Sequence, residues 1–302
     1  MKKKTKILIV GGTGFIGYHL SKSCIKKNWN VTSISTRRPK KKRFLNKIKY
    51  VICDISQKNE LKKKINEKFD YVVNLGGHVD HSNTKKTFRS HFIGLKNLTE
   101  IFENNKPKLF IQLGSGGEYG LCKSPHREGK GKVPKSTYYK SKYLATKLLI
   151  SLYKKKNFPI SILRLYQAYG PRQDLNRLIP IVIYNCLKNK RFDCSSGIQF
   201  RNFVYIDDVI RSIMNTLKNK QNAKGEIINI GSGKTIQVKN VITKIRKKIG
   251  KGFPLFGKIK LRKDEMIKVY PSIKKAKKLI KWSPKISLEK GLKKTISFYE
   301  ST

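Results

Sequence analysis

Long apolar runs are missing from this chain. The first candidate, Ile7 to Val10, follows a cluster of lysines and so imitates a signal peptide, but it stops after four residues at Gly11-Gly12, too soon for a secretory core. No other run approaches a membrane span. Cysteine is sparse as well: Cys24, Cys53, Cys122, Cys186 and Cys194 are odd in number, form no C-x-x-C pair and sit in apolar stretches. A disulfide framework is therefore excluded, and the five are expected to be reduced packing residues of a cytoplasmic protein. Internal repeats and low-complexity linkers are absent, apart from a basic turn at 37–43. Acidic residues are the scarcest class relative to their counterparts: 18 Asp and Glu face 69 Lys and Arg in 302 residues, a formal charge of +51.

A pI near 10.3 is on its face the signature of a nucleic-acid or anionic-membrane partner. The distribution of the charge points elsewhere. Lysines occur in every segment, as in Lys62-Lys63-Lys64 and Lys274-Lys275, and form no single stripe interleaved with aromatics. A solvated lysine-rich surface follows, with no specific nucleic acid and no membrane as partner. The same field draws in an anionic substrate.

Short β-branched runs at 6–10, 30–35, 48–53, 71–75, 109–113 and 160–165 alternate with helix-period segments at 15–27, 57–67, 84–104 and 136–156. That alternation predicts an α/β fold, a Rossmann-type doubly wound parallel sheet with helices on both faces. After Gly170-Pro171 the pattern loosens to helices near 175–188, 206–218 and 238–249 and a strand near 227–230. Residues 1–170 are therefore expected to form the dinucleotide-binding domain, with parts of 203–230 returning to it, and 171–302 a smaller carboxyl-terminal substrate lobe.

Gly11-Gly12-Thr13-Gly14-Phe15-Ile16-Gly17 follows a strand directly and opens a helix. In that context Gly11 and Gly14 permit the tight turn and the approach of backbone to pyrophosphate. Gly17 lets helix and strand pack, and the helix N-terminus, with Phe15 and Ile16 in its first turn, faces the diphosphate. The end of the second strand separates NAD from NADP, because a carboxylate there bonds ribose hydroxyls and an arginine accepts the extra phosphate. Here Ser35-Thr36-Arg37-Arg38 carries no carboxylate, so Arg37 or Arg38 favours NADP. An arginine pair is also ordinary surface in so basic a chain, and NAD stays open. Asp54 and Ile55, after the third strand, are placed to meet the adenine.

Tyr138 and Lys142 stand at i and i+4 of a predicted helix and share one face. A phenol titrating near pH ~10 is a poor proton carrier at neutrality, but an ammonium and an oxidised nicotinamide both favour phenolate. Ser115, just after the fifth strand, is placed to hold the same substrate oxygen.

These motifs, with Ser115-Gly116-Gly117-Glu118-Tyr119-Gly120, the Arg164 to Pro171 stretch, Arg201-Asn202-Phe203-Val204-Tyr205-Ile206-Asp207-Asp208-Val209, Asn229-Ile230-Gly231-Ser232-Gly233 and Lys281-Trp282-Ser283-Pro284, run in order along nearly the whole chain. The sequence resembles an extended short-chain dehydrogenase/reductase, of the NAD-dependent epimerase/dehydratase family that acts on nucleotide sugars. The resemblance implies Tyr138 as acid-base residue, Lys142 as its tuner and ribose ligand, and Ser115 as the partner holding the oxygen. It also implies Arg201 and Arg262 gripping the sugar nucleotide's diphosphate, a task that suits guanidinium, and Gln167 near the sugar or phosphate. A homodimer through the helices at 84–104 and 136–156 and a place in cell-surface polysaccharide biosynthesis are implied too.

Family members that remove water carry Asp-Glu where this chain has Gly116-Gly117. Without that acid and base, 4,6-dehydration is not expected. Glu118 either touches the sugar or caps a turn. His91 replaces a usual Asn, and His78 and His81 flank Asp80, but that loop faces the cofactor and supplies no further ligand, so no metal is expected. The favoured function is an NADPH-using 4-keto sugar-nucleotide reductase. The alternative is a nucleotide-sugar 4-epimerase with retained NAD, for which the small Gly116-Gly117 pair offers room for a turning intermediate. A more remote alternative, a non-catalytic dinucleotide- or nucleic-acid-binding protein, conflicts with an intact Ser115, Tyr138 and Lys142.

Overall fold

A computed structural model of the chain describes residues 3–78, 83–261 and 265–301. In chain order its elements begin with β1 (Lys6–Val10), α1 (Phe15–Lys26), β2 (Asn30–Ser35), β3 (Ile48–Ile52), α2 (Lys58–Lys64), β4 (Tyr71–Asn74), α3 (Thr84–Phe88), α4 (Gly94–Glu103), β5 (Leu109–Ser115), α5 (Thr137–Lys156) and β6 (Ile160–Leu165). The second half follows with β7 (Gln167–Tyr169), α6 (Leu178–Leu187), β8 (Arg191–Ser195), β9 (Phe200–Arg201), β10 (Phe203–Tyr205), α7 (Ile206–Lys218), α8 (Lys220–Ala223), β11 (Glu226–Ile230), β12 (Ile236–Gln237), α9 (Val238–Ile249), β13 (Phe253–Ile259), α10 (Lys274–Ile280) and α11 (Leu288–Glu300).

Seven strands form one parallel sheet in the order β11-β6-β5-β4-β1-β2-β3. This is the doubly wound α/β arrangement that the alternation of runs predicts. The residue-by-residue alternation along β1 decides which helices cover which face. Ile7 and Ile9 pack with Leu20 and Cys24 of α1 and Val209 and Ile213 of α7. Leu8 and Val10 point the other way, to Leu61, Leu95, Leu98 and Leu149, as the twofold period of a strand requires. Each such fully buried aliphatic side chain contributes on the order of 1.5–3 kcal/mol of transfer free energy. The strand order reverses between β1 and β4, the switch point where open α/β sheets bind ligands. All five cysteines are free, four of them buried, and burial pushes the Cys24 thiol up to about 12. Those four are packing groups, as expected, whereas Cys122 is half-buried.

Two predicted helices differ. The segment expected at 57–67 is helical only over Lys58–Lys64, and the one at 84–104 is interrupted by a π-helical turn at Arg89–Ile93. Among the described residues no helix is long and apolar enough to cross a membrane.

The carboxyl-terminal motifs turn out to be fasteners. Asp208, buried at the start of α7, accepts the backbone N–H groups of Lys285 at 3.0 Å and Ile286 at 2.9 Å, while its own carbonyl takes the Trp282 indole N–H at 2.9 Å. Through its carbonyl and its carboxylate, Asp208 thereby docks residues 282–286 and α11 behind them onto α7.

Candidate active site

The turn after β1 is cut to the shape of a close ligand. Gly11 has φ +78°, which L side chains rarely adopt. A Cβ on Gly17 would lie 2.4 Å from the Gly11 carbonyl oxygen, so only glycine lets α1 start this close to the strand. Gly14 caps α1 without a side-chain hydrogen bond, and no acid occupies the first turn containing Phe15 and Ile16. The first-turn N–H groups are therefore left for an anion. These are the features a dinucleotide diphosphate needs, and the residues fit one.

Beyond β2, Arg37 and Arg38 are exposed, and among the described residues neither is ion-paired. The same loop ends in a different kind of arginine: Arg43 is buried, donates to the Arg172 carbonyl at 3.0 Å and pairs with Asp174 at 3.0 Å. Arg43 pins the loop; Arg37 and Arg38 are presented by it. A cavity of about 340 Å³ lies between the ends of β2 and β3, bounded by Thr36, Asp54 and Lys86 among others. Asp54 Oδ1 accepts the Ser56 N–H at 2.9 Å, and the Ile55 carbonyl takes the Asn97 amide at 2.9 Å.

Ser115 is the last residue of β5 and not a loop residue beyond it. Its Oγ accepts the Gly117 N–H at 3.2 Å, which leaves the hydroxyl proton to donate elsewhere. Glu118 resolves as a cap. It is 1% exposed; one oxygen accepts the Ser115 N–H at 2.7 Å and the other accepts the Thr146 hydroxyl at 2.6 Å and Arg164 Nε at 3.0 Å. The Arg164 guanidinium in turn lies 4.5 Å from the centre of the Tyr119 ring. Glu118 thus clamps the turn that carries Ser115 and faces away from any sugar.

The first turns of α5 are tied to the same strand. Lys142 Nζ donates to the Leu113 carbonyl at 2.8 Å and stands 6.0 Å from the centre of the Tyr138 ring. Burial lowers this ammonium from 10.5 to about 8, with Glu118 opposing. The lysine was expected to depress the phenol of Tyr138. Instead burial, then Tyr139, raises that phenol above its ordinary range, and the opposing positive charge is that of Arg177 at the start of α6. The His91 ring meets Tyr138 edge to face at 5.0 Å and its Nε2 lies 3.1 Å from the His78 carbonyl oxygen. Asp80 and His81 lie outside the described residues, as does Arg262.

The folded ammonium of Lys142 titrates near 8 and an unfolded one near 10.5, so between these values the unfolded chain binds more protons. Stability from this group therefore rises as pH climbs from 8 to 10.5. Lys142→Met is expected to remove that rise, on the order of 3 kcal/mol at most, measured as the wild-type-minus-variant difference in urea unfolding at the two ends of the window.

Gly116 and Gly117 do not leave the open space expected of them. A Cβ on Gly116 would sit 2.7 Å from the Tyr166 ring, and one on Gly117 2.0 Å from the Tyr139 ring. Two phenols fill the place where side chains of that turn would stand. Tyr166 is held there by His126, whose Nδ1 lies 2.8 Å from its hydroxyl. Sequence reasoning passed over both tyrosines, because each acts across the chain from the turn it fills.

Arg201 lies on β9, donates to the Phe200 and Met266 carbonyls at 2.8 Å each and pairs with Glu265. Glu265 and Met266 are thereby held beside Arg201. Gln167, exposed on β7, donates its N–H to the Asn202 carbonyl at 3.1 Å, next to Arg201 in sequence. Ser115, Tyr138 and Lys142 gather at the carboxyl edge of the sheet, with the glycine turn at the same edge.

A family model described as the NAD dependent epimerase/dehydratase family matches residues 7–231. The chain belongs to that family. Two relatives match end to end: a putative UDP-glucose 4-epimerase of Methanocaldococcus jannaschii, 30% identical over 98% of each chain, and the CDP-abequose synthase of Salmonella muenchen, 28% identical over 98% of each. A solved UDP-glucuronic acid 4-epimerase from Bacillus cereus, in complex with UDP-glucuronic acid and NAD, is 27% identical with a TM-score of 0.88, covering 98% of this chain and 99% of that one. The family resemblance and the fold read from the motifs both hold. This member of the NAD-dependent epimerase/dehydratase family carries Gly116-Gly117 under two phenols and a second-strand end without a carboxylate.

Proposed function

We propose that this protein is an NADPH-dependent reductase of a 4-keto sugar carried on a nucleoside diphosphate. The carrying observation is the end of β2, where Arg37 and Arg38 face solvent with no carboxylate beside them. That chemistry suits a cofactor 2′-phosphate, and a dissociable NADPH belongs to a net reduction. Gly11 to Gly17 and the N-terminus of α1 hold the cofactor diphosphate, and Asp54 and Ile55 the adenosine end. When bound, the nicotinamide supplies the hydride that sugar C4 receives. The chain's own groups handle the rest: the Ser115 hydroxyl donates a hydrogen bond to the C4 oxygen, and Tyr138 delivers its proton to that oxygen as it becomes an alkoxide. Lys142 then meets the resulting phenolate with positive charge across the short gap to its ring. Arg201, with Arg262, takes the substrate diphosphate, exchanging the Glu265 carboxylate for phosphate oxygens.

Replacing Arg37 with Asp and Arg38 with Ser is expected to raise KM for NADPH roughly tenfold or more, the worth of a lost charge-assisted hydrogen bond, and to lower KM for NADH, because the new carboxylate can accept from the ribose hydroxyls. Equal effects on both cofactors contradict the assignment. A second reading, a nucleotide-sugar 4-epimerase with retained NAD, is favoured by the names of the M. jannaschii and B. cereus relatives. Denaturing the purified protein and identifying any released dinucleotide separates the two: tightly held NAD supports the epimerase, and empty protein that consumes NADPH with a 4-keto sugar nucleotide supports the reductase. A homodimer through the helices at 84–104 and 136–156 forms part of the same proposal.

A further inference from the structure

Tyr139 sits between the three parts of the site. It follows Tyr138 in sequence, and the two rings are 5.1 Å apart and steeply inclined. Its own ring occupies the space over Gly117, where a Cβ would approach to 2.0 Å, so the turn beside Ser115 is covered by an aromatic face. Its oxygen lies in the field of the Arg201 guanidinium. The side chain is half-buried, and its hydroxyl has no hydrogen-bond partner among the described residues. A sugar whose C4 oxygen meets Tyr138 and Ser115 therefore has this ring beside it.

Building on the proposed nucleotide-sugar function, we propose that Tyr139 is a specificity-determining residue, the aromatic wall of the sugar pocket beside the reacting carbon. The wall accepts a methyl or hydroxymethyl group on the carbon next to C4 and refuses a carboxylate. The cause is desolvation and the ring's quadrupole: an ionised carboxylate set against the phenyl face loses its water and meets the negative face of the ring, whereas CH and CH₃ groups pack on it. The hydroxyl adds a hydrogen bond to the sugar or its phosphate.

The test is calorimetric binding to the cofactor-loaded protein of UDP-glucose and UDP-glucuronate, which share a nucleotide and differ only at the hydroxymethyl or carboxylate carbon. Because the base is common to both, any base preference cancels in the ratio. Wild type is expected to favour UDP-glucose about tenfold or more, the scale of an uncompensated buried polar group. Tyr139→Ala should bring the ratio near unity. Tyr139→Phe should keep the ratio and weaken both sugars several-fold, the mark of a lost hydrogen bond with the wall intact. A ratio unchanged within twofold in Tyr139→Ala, or a wild type that prefers the uronate, overturns the wall. Failure of the wild type to bind glucose carried on UDP, CDP and dTDP alike overturns the substrate class and the wall with it, so the two failures are distinct.

Discussion

Tyr138→Phe is expected to lower kcat by roughly 10²–10⁴-fold, the usual worth of a positioned general acid, while cofactor affinity stays within about twofold. The ring, its contact with His91 and the Lys142 hydrogen bond to Leu113 all survive the loss of one oxygen. What disappears is the proton held at the C4 oxygen. Ser115 does not replace it, because a serine hydroxyl donates a hydrogen bond without becoming a stable oxyanion near neutral pH. Single-turnover kinetics with saturating cofactor, together with fluorescence titration of the cofactor, make the measurement. Undiminished kcat removes Tyr138 from the mechanism.

Glu118→Ala is expected to destabilise the folded state by about 3–5 kcal/mol. It leaves the Arg164 guanidinium, 4% exposed, without its anion, and strands the Ser115 N–H and the Thr146 hydroxyl. Glu118→Gln keeps the shape and one acceptor, so it should fall between wild type and Ala. Urea unfolding reads the stability, and kcat should fall in parallel because the turn under Ser115 loses its clamp. A loss below about 1 kcal/mol, the level of an exposed ion pair, contradicts a buried structural pair.

The sheet was legible because strands such as Ile7 to Val10 carry their own period and the glycine turn follows one directly. The candidate pair Tyr138 and Lys142 could be picked out for the same local reason, since the two are one helical turn apart on α5. What resisted reading depends on partners distant in sequence. Glu118 was ambiguous until Arg164 arrived from β6, and the Gly116–Gly117 pair read as space because nothing in the turn announces the rings of Tyr139 and Tyr166. The short strands β7, β9, β10 and β12 span two or three residues, too few to show a period. The π-turn at Arg89–Ile93 has no composition of its own; it is recognised by the hydrogen bonding that places His91 against Tyr138.

The central claim is redox chemistry at sugar C4, driven by a nicotinamide and completed by a proton from Tyr138. Its most direct test is to supply reduced cofactor deuterated at both C4 positions of the nicotinamide with a 4-keto sugar nucleotide and read the product by NMR. Deuterium is expected at C4 of the sugar, with one equivalent of cofactor oxidised per sugar reduced, and both should appear roughly 10²–10⁴-fold more slowly with Tyr138→Phe. A folded wild-type protein that places no deuterium on the sugar contradicts it.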